Sequence, residues 1–174
     1  MRISGIAAIL IPAIMVLSSC PFTSQAPLSE VSEARIDAVL TGFWQISDTD
    51  SGESTPIVIV PFDEHTFAIL ANGDKKGEID AYRAFVTEIG AERFLNVREL
   101  TSDNDEEPWY FLNYRSVNGR IELRLVDDKL FEKREFTVSS QLREFFSAHL
   151  SDPLLYGENG GKVPDMVLES TGKR

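Results

Sequence analysis

The sequence predicts a mainly β protein: an antiparallel, up-and-down eight-stranded barrel with a C-terminal amphipathic helix. Three observations predict it. Between Gly42 and Val138, short apolar stretches alternate with turn residues at a spacing of roughly twelve residues, the rhythm of barrels and sandwiches. Nearly every link is short, so successive strands are antiparallel neighbours. A meander of that kind has two exposed edges unless it closes on itself. Beyond the strands, Leu142, Phe145, Phe146, His149 and Leu150 fall at helical spacing and form one stripe, which needs an apolar partner on the outside of the sheet.

Residues 1–19 stand apart from this pattern. Arg2 gives a positive start, and Ile6 to Leu17 is an apolar run broken only by Pro12. It is shorter than the ~20 apolar residues of a membrane-spanning helix and fits the hydrophobic stretch of a secretory signal. The run ends in Leu17-Ser18-Ser19-Cys20, with the chain's single cysteine in last place. This ending resembles the lipobox of bacterial lipoproteins, a Leu and two small residues before a Cys. The resemblance implies cleavage after Ser19 and acyl chains on Cys20. Those chains imply membrane anchoring in the bacterial cell envelope, facing the periplasm. The next residue is Pro21 rather than the Asp of inner-membrane retention, which favours the outer membrane if the source is Gram-negative.

Residues 20–28 contain two prolines and small polar side chains and read as a tether. The domain is expected over residues 29–156. Ser29 is placed to cap a short helix reaching about Leu40, with Glu30 and Glu33 in its first turn, where they complement the helix dipole. Trp44 to Ser47 alternates, and Ile57 to Phe62 is continuous and β-branched. Phe67 to Ala71 stops at Asn72-Gly73-Asp74, a hairpin signal. Ile79, Ala81, Arg83, Phe85 and Thr87 share one parity of the next strand, which Gly90 ends.

Phe94 to Leu100 follows, up to the acidic stretch Asp103 to Pro108. Trp109 to Val117 is a long aromatic strand ending at Asn118-Gly119, the best hairpin turn in the chain. Ile121 to Leu125 alternates without error. A helical turn is expected around Lys129–Glu132, and Glu135 to Val138 supplies the last short strand. Ser139 or Ser140 is placed to cap the helix at about 140–151, and Asp152-Pro153 stops it. Residues 157–174 are rich in Gly and charge and read as a flexible tail.

Composition narrows the function. A length of 174 residues suits one domain. A formal net charge of −11 argues against a nucleic-acid binder, which needs a basic face. One cysteine excludes an intramolecular disulfide and a thiolate zinc cluster.

Gly42-Phe43-Trp44 places a Gly-x-Trp at the entry to the first strand. This looks like the start of a lipocalin or lipocalin-like barrel, as does the late helix. The resemblance implies that Trp44 packs across the closed end of the barrel. It also implies an Arg from a late strand, Arg124 or Arg134, covering the indole. The chain departs from secreted lipocalins in lacking disulfides and in its shorter second half.

No catalytic constellation emerges, so the expectation is a non-enzymatic protein. Gly-x-Ser-x-Gly is absent, and Cys20 is assigned to lipid. His65 falls at a turn and His149 on the helix stripe, far apart in sequence. Asp103, Asp105 and Glu107 alternate but lack the glycine and terminal Glu of a calcium loop, so neither metal nor cofactor is expected. Trp44, Phe67, Phe85, Trp109 and Phe111 occupy alternating strand positions. Turned inward, they would line a hollow for a small, partly apolar ligand, and Ala68, Ala71, Ala81 and Ala84 would leave room for it. The alternative is an acidic interaction or inhibitor module that docks a basic envelope protein.

Overall fold

The structure, a computed structural model, describes residues 20–73, 77–100, 107–131, 134–157 and 160–172. Its centre is a closed barrel of eight antiparallel strands. Seven run as a meander: β2 Gly42–Asp48, β3 Ser54–Pro61, β4 Phe67–Asn72, β5 Ile79–Ile89, β6 Glu92–Glu99, β7 Trp109–Val117 and β8 Arg120–Leu125. The ring is closed by β9, Met166–Ser170, which pairs with β2 on one side and β8 on the other. A two-residue strand β1, Thr23–Ser24, adds to the upper end of β7. The helix α1, Ser139–His149, lies in the excursion between β8 and β9.

The eighth strand therefore comes from residues 157–174, expected as a tail, and not from Glu135 to Val138. Met166 and Leu168 are buried and Val167 between them is half-buried, which is the period-2 pattern of a strand with one face in a core. Asp165 leads into it. Its backbone N–H donates to Leu123, its carboxylate accepts from Leu125 N–H at 2.7 Å, and its carbonyl accepts from Thr49. One residue thus ties β9 to both of its neighbours.

The Asn118-Gly119 turn forms as expected, with positive φ at both residues, the conformation of a two-residue type I′ hairpin. Residues 29–40 do not form the expected helix. They fold into two 3₁₀ turns, Val31–Glu33 and Ala38–Leu40. Asp37 caps the second turn, and the Ser29 hydroxyl bonds Thr87 instead. A further 3₁₀ turn, Asp128–Leu130, falls at the expected helical turn. The helix α1 forms, but its N-cap is Val138, without a side-chain bond. Asp152 accepts from Leu154 N–H and so opens a new 3₁₀ turn, Pro153–Tyr156.

One sheet serves two cores. Inward side chains such as Ile59, Ile69, Leu95, Leu123 and Leu168 fill the barrel. Outward side chains of β5, β6 and β7 build a second core with Leu142 and Phe146 of α1 and with Phe22 and Leu28. Residues 20–28 are thus a docked arm, not a tether. Phe22 stacks on Phe131 and donates its N–H to Val126. Leu28 N–H donates to Asn96 Oδ1 at 2.8 Å, and the Asn96 amide donates to Thr87 and to the Phe85 carbonyl. Asn96 is fully buried with three bonds made, which is what a buried amide requires.

Asp165 carries a testable cost. Burial pushes its carboxyl up to about 6, and Asp50 and Asp48 add to that against the Leu125 N–H bond and Arg124. A carboxyl raised in the folded state binds its proton more tightly there than in the unfolded chain. Its share of stability is therefore present at low pH and lost as pH rises from about 4 to about 6. Asp165→Asn keeps an acceptor for Leu125 N–H without the charge. Urea unfolding should find it more stable than the parent by about 1–2 kcal/mol at pH 7 and level with it at pH 4.

Candidate functional site

The two ends of the barrel differ. The lower end lies at the start of β2 and the β7–β8 turn, and it is plugged. Gly42 has φ +151°, and a Cβ there would lie 3.5 Å from the indole nitrogen of Trp44. That is ordinary van der Waals contact, so it is the positive φ, not crowding by the ring, that favours glycine here. Trp44 Nε1 donates to the Leu40 carbonyl at 2.8 Å, which locks the Ala38–Leu40 turn across the opening. Asp37 fastens that turn to the barrel: its Oδ2 accepts from Arg93 at 2.7 Å and from the Tyr114 hydroxyl at 2.8 Å. Arg93 also lies over the Tyr114 ring, 4.9 Å from its centroid. Burial and the Asp37 carboxylate both push the Tyr114 phenol well above its ordinary range, so it remains a donor.

Above the plug lies an apolar cavity of about 60 Å³. Its wall comes from the middle and upper strands, including Ile46, Ile57, Ile59, Tyr82, Val97, Leu112, Leu125 and Met166. That space exceeds the ~10–15 Å³ needed by one water, but the wall gives a water few polar partners. It is far smaller than the ~300–1,000 Å³ of an ordinary small-molecule pocket.

The five aromatic residues expected to line a hollow do not come together. Trp44 and Phe67 face inward and belong to the barrel core, but neither borders the cavity. Phe85, Trp109 and Phe111 face outward and pack with the arm and helix. The expected small residues split likewise, with Ala71 and Ala84 in the barrel core and Ala68 and Ala81 on the opposite parity. Alternation marks two faces without saying which is inside. Here both faces of β5–β7 are apolar because both are covered. The signal that identifies the true wall is the opposite parity, Tyr82, Leu95, Val97, Tyr110 and Leu112.

Neither candidate Arg is placed on Trp44 by its contacts. Arg124 donates to the Gly161 carbonyl at 2.6 Å, and Arg134 lies over the Phe145 ring. His65 Nδ1 is bonded to the Ala34 carbonyl, and His149 Nδ1 to the Phe145 carbonyl. Asp103 and Asp105 lie outside the described residues. Among the described residues no group of three or more metal-ligating side chains converges, and no helix is long and apolar enough to cross a membrane. Cys20 is exposed with a free thiol, and its carbonyl accepts from Asp128 N–H.

No protein-family model, curated protein or solved structure matches the chain.

The plug rests on Asp37. Replacing it with Ala leaves the inward Arg93 and the buried Tyr114 hydroxyl without their shared acceptor. Asp37→Ala should lower unfolding free energy in urea by about 1–3 kcal/mol. A change within about 0.3 kcal/mol would show that the latch contributes nothing.

Proposed function

We propose that this chain is a lipid-anchored, non-enzymatic lipoprotein of the bacterial cell envelope, with a lipocalin-like barrel that binds a small, partly apolar ligand. The observation that carries the ligand reading is the apolar cavity above a plugged end. A barrel closed at one end and hollow above it is a container, and an apolar wall selects hydrocarbon. The size of the space narrows the class to a slim group of a few carbons, or the tip of a longer chain. Burying each CH₂ there contributes roughly 0.8 kcal/mol.

Support for the lipocalin-like reading comes from the Gly42-Phe43-Trp44 entry, the indole across the lower end and the helix on the outside. The lipobox-like ending at Cys20 supports the anchor. An interaction module is the second reading. It is favoured by Phe43, Phe62 and Ile79, which stand 66%, 61% and 66% exposed in a chain of net charge −11. A basic partner held that way should dissociate as salt is raised.

Both parts of the first reading are open to test. Cys20→Ser should move the protein from the membrane fraction to the soluble fraction, and mass spectrometry of the parent should find an acylated N-terminal Cys20. Unmodified parent protein in the soluble fraction would refute the anchor. For the cavity, native mass spectrometry of protein taken gently from its host should show a bound small molecule. Ile59→Phe, which fills part of the space, should lose it. Retention of the same adduct by Ile59→Phe would place that ligand elsewhere.

A further inference from the structure

A second cavity lies outside the barrel, at its lower end. The arm runs from Thr23, paired with Tyr110 at the upper end of β7, down to Ser29, whose hydroxyl meets Thr87 near the lower end of β5. Residues 29–38 then cross toward the plug. Between this crossing, the last residues of β5 and the helix α1 is an open-sided space of about 700 Å³. That size lies within the ~300–1,000 Å³ of ordinary small-molecule sites. Its lining is mostly polar, with Ile36, Ala38, Val86 and Gly90 as the apolar members.

A hydrogen-bond count gives this space a requirement. Ser29 and Thr87, which both border it, are 6% and 2% exposed, and their hydroxyl oxygens lie 2.7 Å apart. Thr87 Oγ1 also accepts from the Asn96 amide. The pair holds two hydroxyl protons and its mutual bond uses one of them, so the other has no acceptor among the described residues. A buried donor left unpaired is costly. A ligand in the cavity can supply the missing acceptor.

The cations around the space point the same way. Arg35, Arg93 and Arg143 reach it from the crossing segment, β6 and α1. Arg93 is spent on Asp37. Arg143 donates to a neutral group, the Glu88 carbonyl, at 2.8 Å, and Arg35 is exposed. Among the described residues neither is in an ion pair. A guanidinium presents forked donors that match a planar or tetrahedral oxyanion. Glu33 and Glu88 also border the space, and carboxylates accept from ligand hydroxyls.

We propose that this cavity binds a small hydroxylated oxyanion, a sugar phosphate or a sugar acid. Its anionic group sits at Arg35, Arg143 and the Ser29–Thr87 hydroxyls, and its own hydroxyls face Glu33 and Glu88. The site is separate from the barrel hollow and does not depend on it. It also lies at the opposite end from Cys20, whose carbonyl meets Asp128 beyond the upper end of β8. A lipid on Cys20 would leave it on the side away from the bilayer, open to water-soluble molecules.

The test titrates glucose-6-phosphate, glucuronate and glucose into the purified protein at neutral pH and low salt, followed by its amide NMR signals. Both anions should bind at least about tenfold more tightly than glucose, with shifts centred on Ser29, Thr87, Gly90 and Arg143. The tighter of the two anions identifies phosphate or carboxylate as the preferred group. Arg35→Gln should weaken anion binding several-fold. Ile59→Phe, which alters the barrel hollow, should leave it unchanged, as should Arg120→Gln, which removes the same charge from an exposed site outside the cavity. Anions that bind no better than glucose would overturn the proposal. Equal weakening by Arg35→Gln and Arg120→Gln, or shifts away from the cavity, would overturn it as well, since they report attraction to scattered surface cations.

Discussion

Ring closure governs which way every side chain in this molecule points. A seven-stranded meander that stops at β8 leaves β2 and β8 with unpaired backbone edges, and each buried unpaired group is costly. The closing strand β9 saturates both edges at once. It also sets parity: the registers Ile46 with Leu168 and Leu123 with Met166 place four apolar side chains on the inside together. A slip of one residue would turn Met166 and Leu168 out to water and Val167 and Glu169 in. The chain travels from Val126 to Asp165 before supplying this strand. The barrel therefore forms through a contact that is distant in sequence.

That detour is what gives the sheet its second core. With β9 required at the edge, the intervening residues must lie somewhere, and α1 lies on the outward faces of β5, β6 and β7. Phe146 meets Phe94 and Phe111 edge-on at 5.3 and 5.6 Å. The arm completes the cover, because Phe22 and Leu28 fill what the helix leaves open. Asn96 is a fully buried polar residue in this core, bonded to the buried Thr87 hydroxyl. It stands where the arm's backbone crosses β6, and it gives Leu28 N–H the acceptor that no strand supplies. Docking of the arm leaves little free chain between Cys20 and the barrel, so a lipid on Cys20 would hold the domain close to the bilayer.

Much of the barrel is legible in the sequence, and the illegible parts share a cause. Asn118-Gly119 and the Leu142-to-Leu150 stripe are local signals whose chemistry admits one conformation, and both appear as expected. Met166–Ser170 is short, sits among glycines and charges, and becomes a strand only because two edges await it. Residues 20–28 look like linker because prolines and hydroxyls dominate, although Phe22 and Leu28 are among the anchors of the outer core. The aromatic residues alternate as strand residues do, but period-2 alternation does not distinguish inside from outside. Only the cover on β5–β7 decides that, and that cover is tertiary.

The same parity rule makes the barrel's ends chemically unlike. Arg93 points inward at the lower end, where Asp37 meets it and Tyr114 bonds the same carboxylate oxygen. Opposite charges there cancel inside a plug that Trp44 and Leu40 complete. At the upper end the inward positions hold Asp48, Asp80 and Glu99, next to the residues that line the apolar hollow. Burial holds the Glu99 carboxyl above its ordinary value, and a carboxyl raised in the folded state stabilises less at neutral pH than at low pH. Charges that cancel within a hydrogen-bonded plug are what a structural end requires, so the proposed ligand, if it binds in the barrel, would have to reach the apolar hollow from the other end.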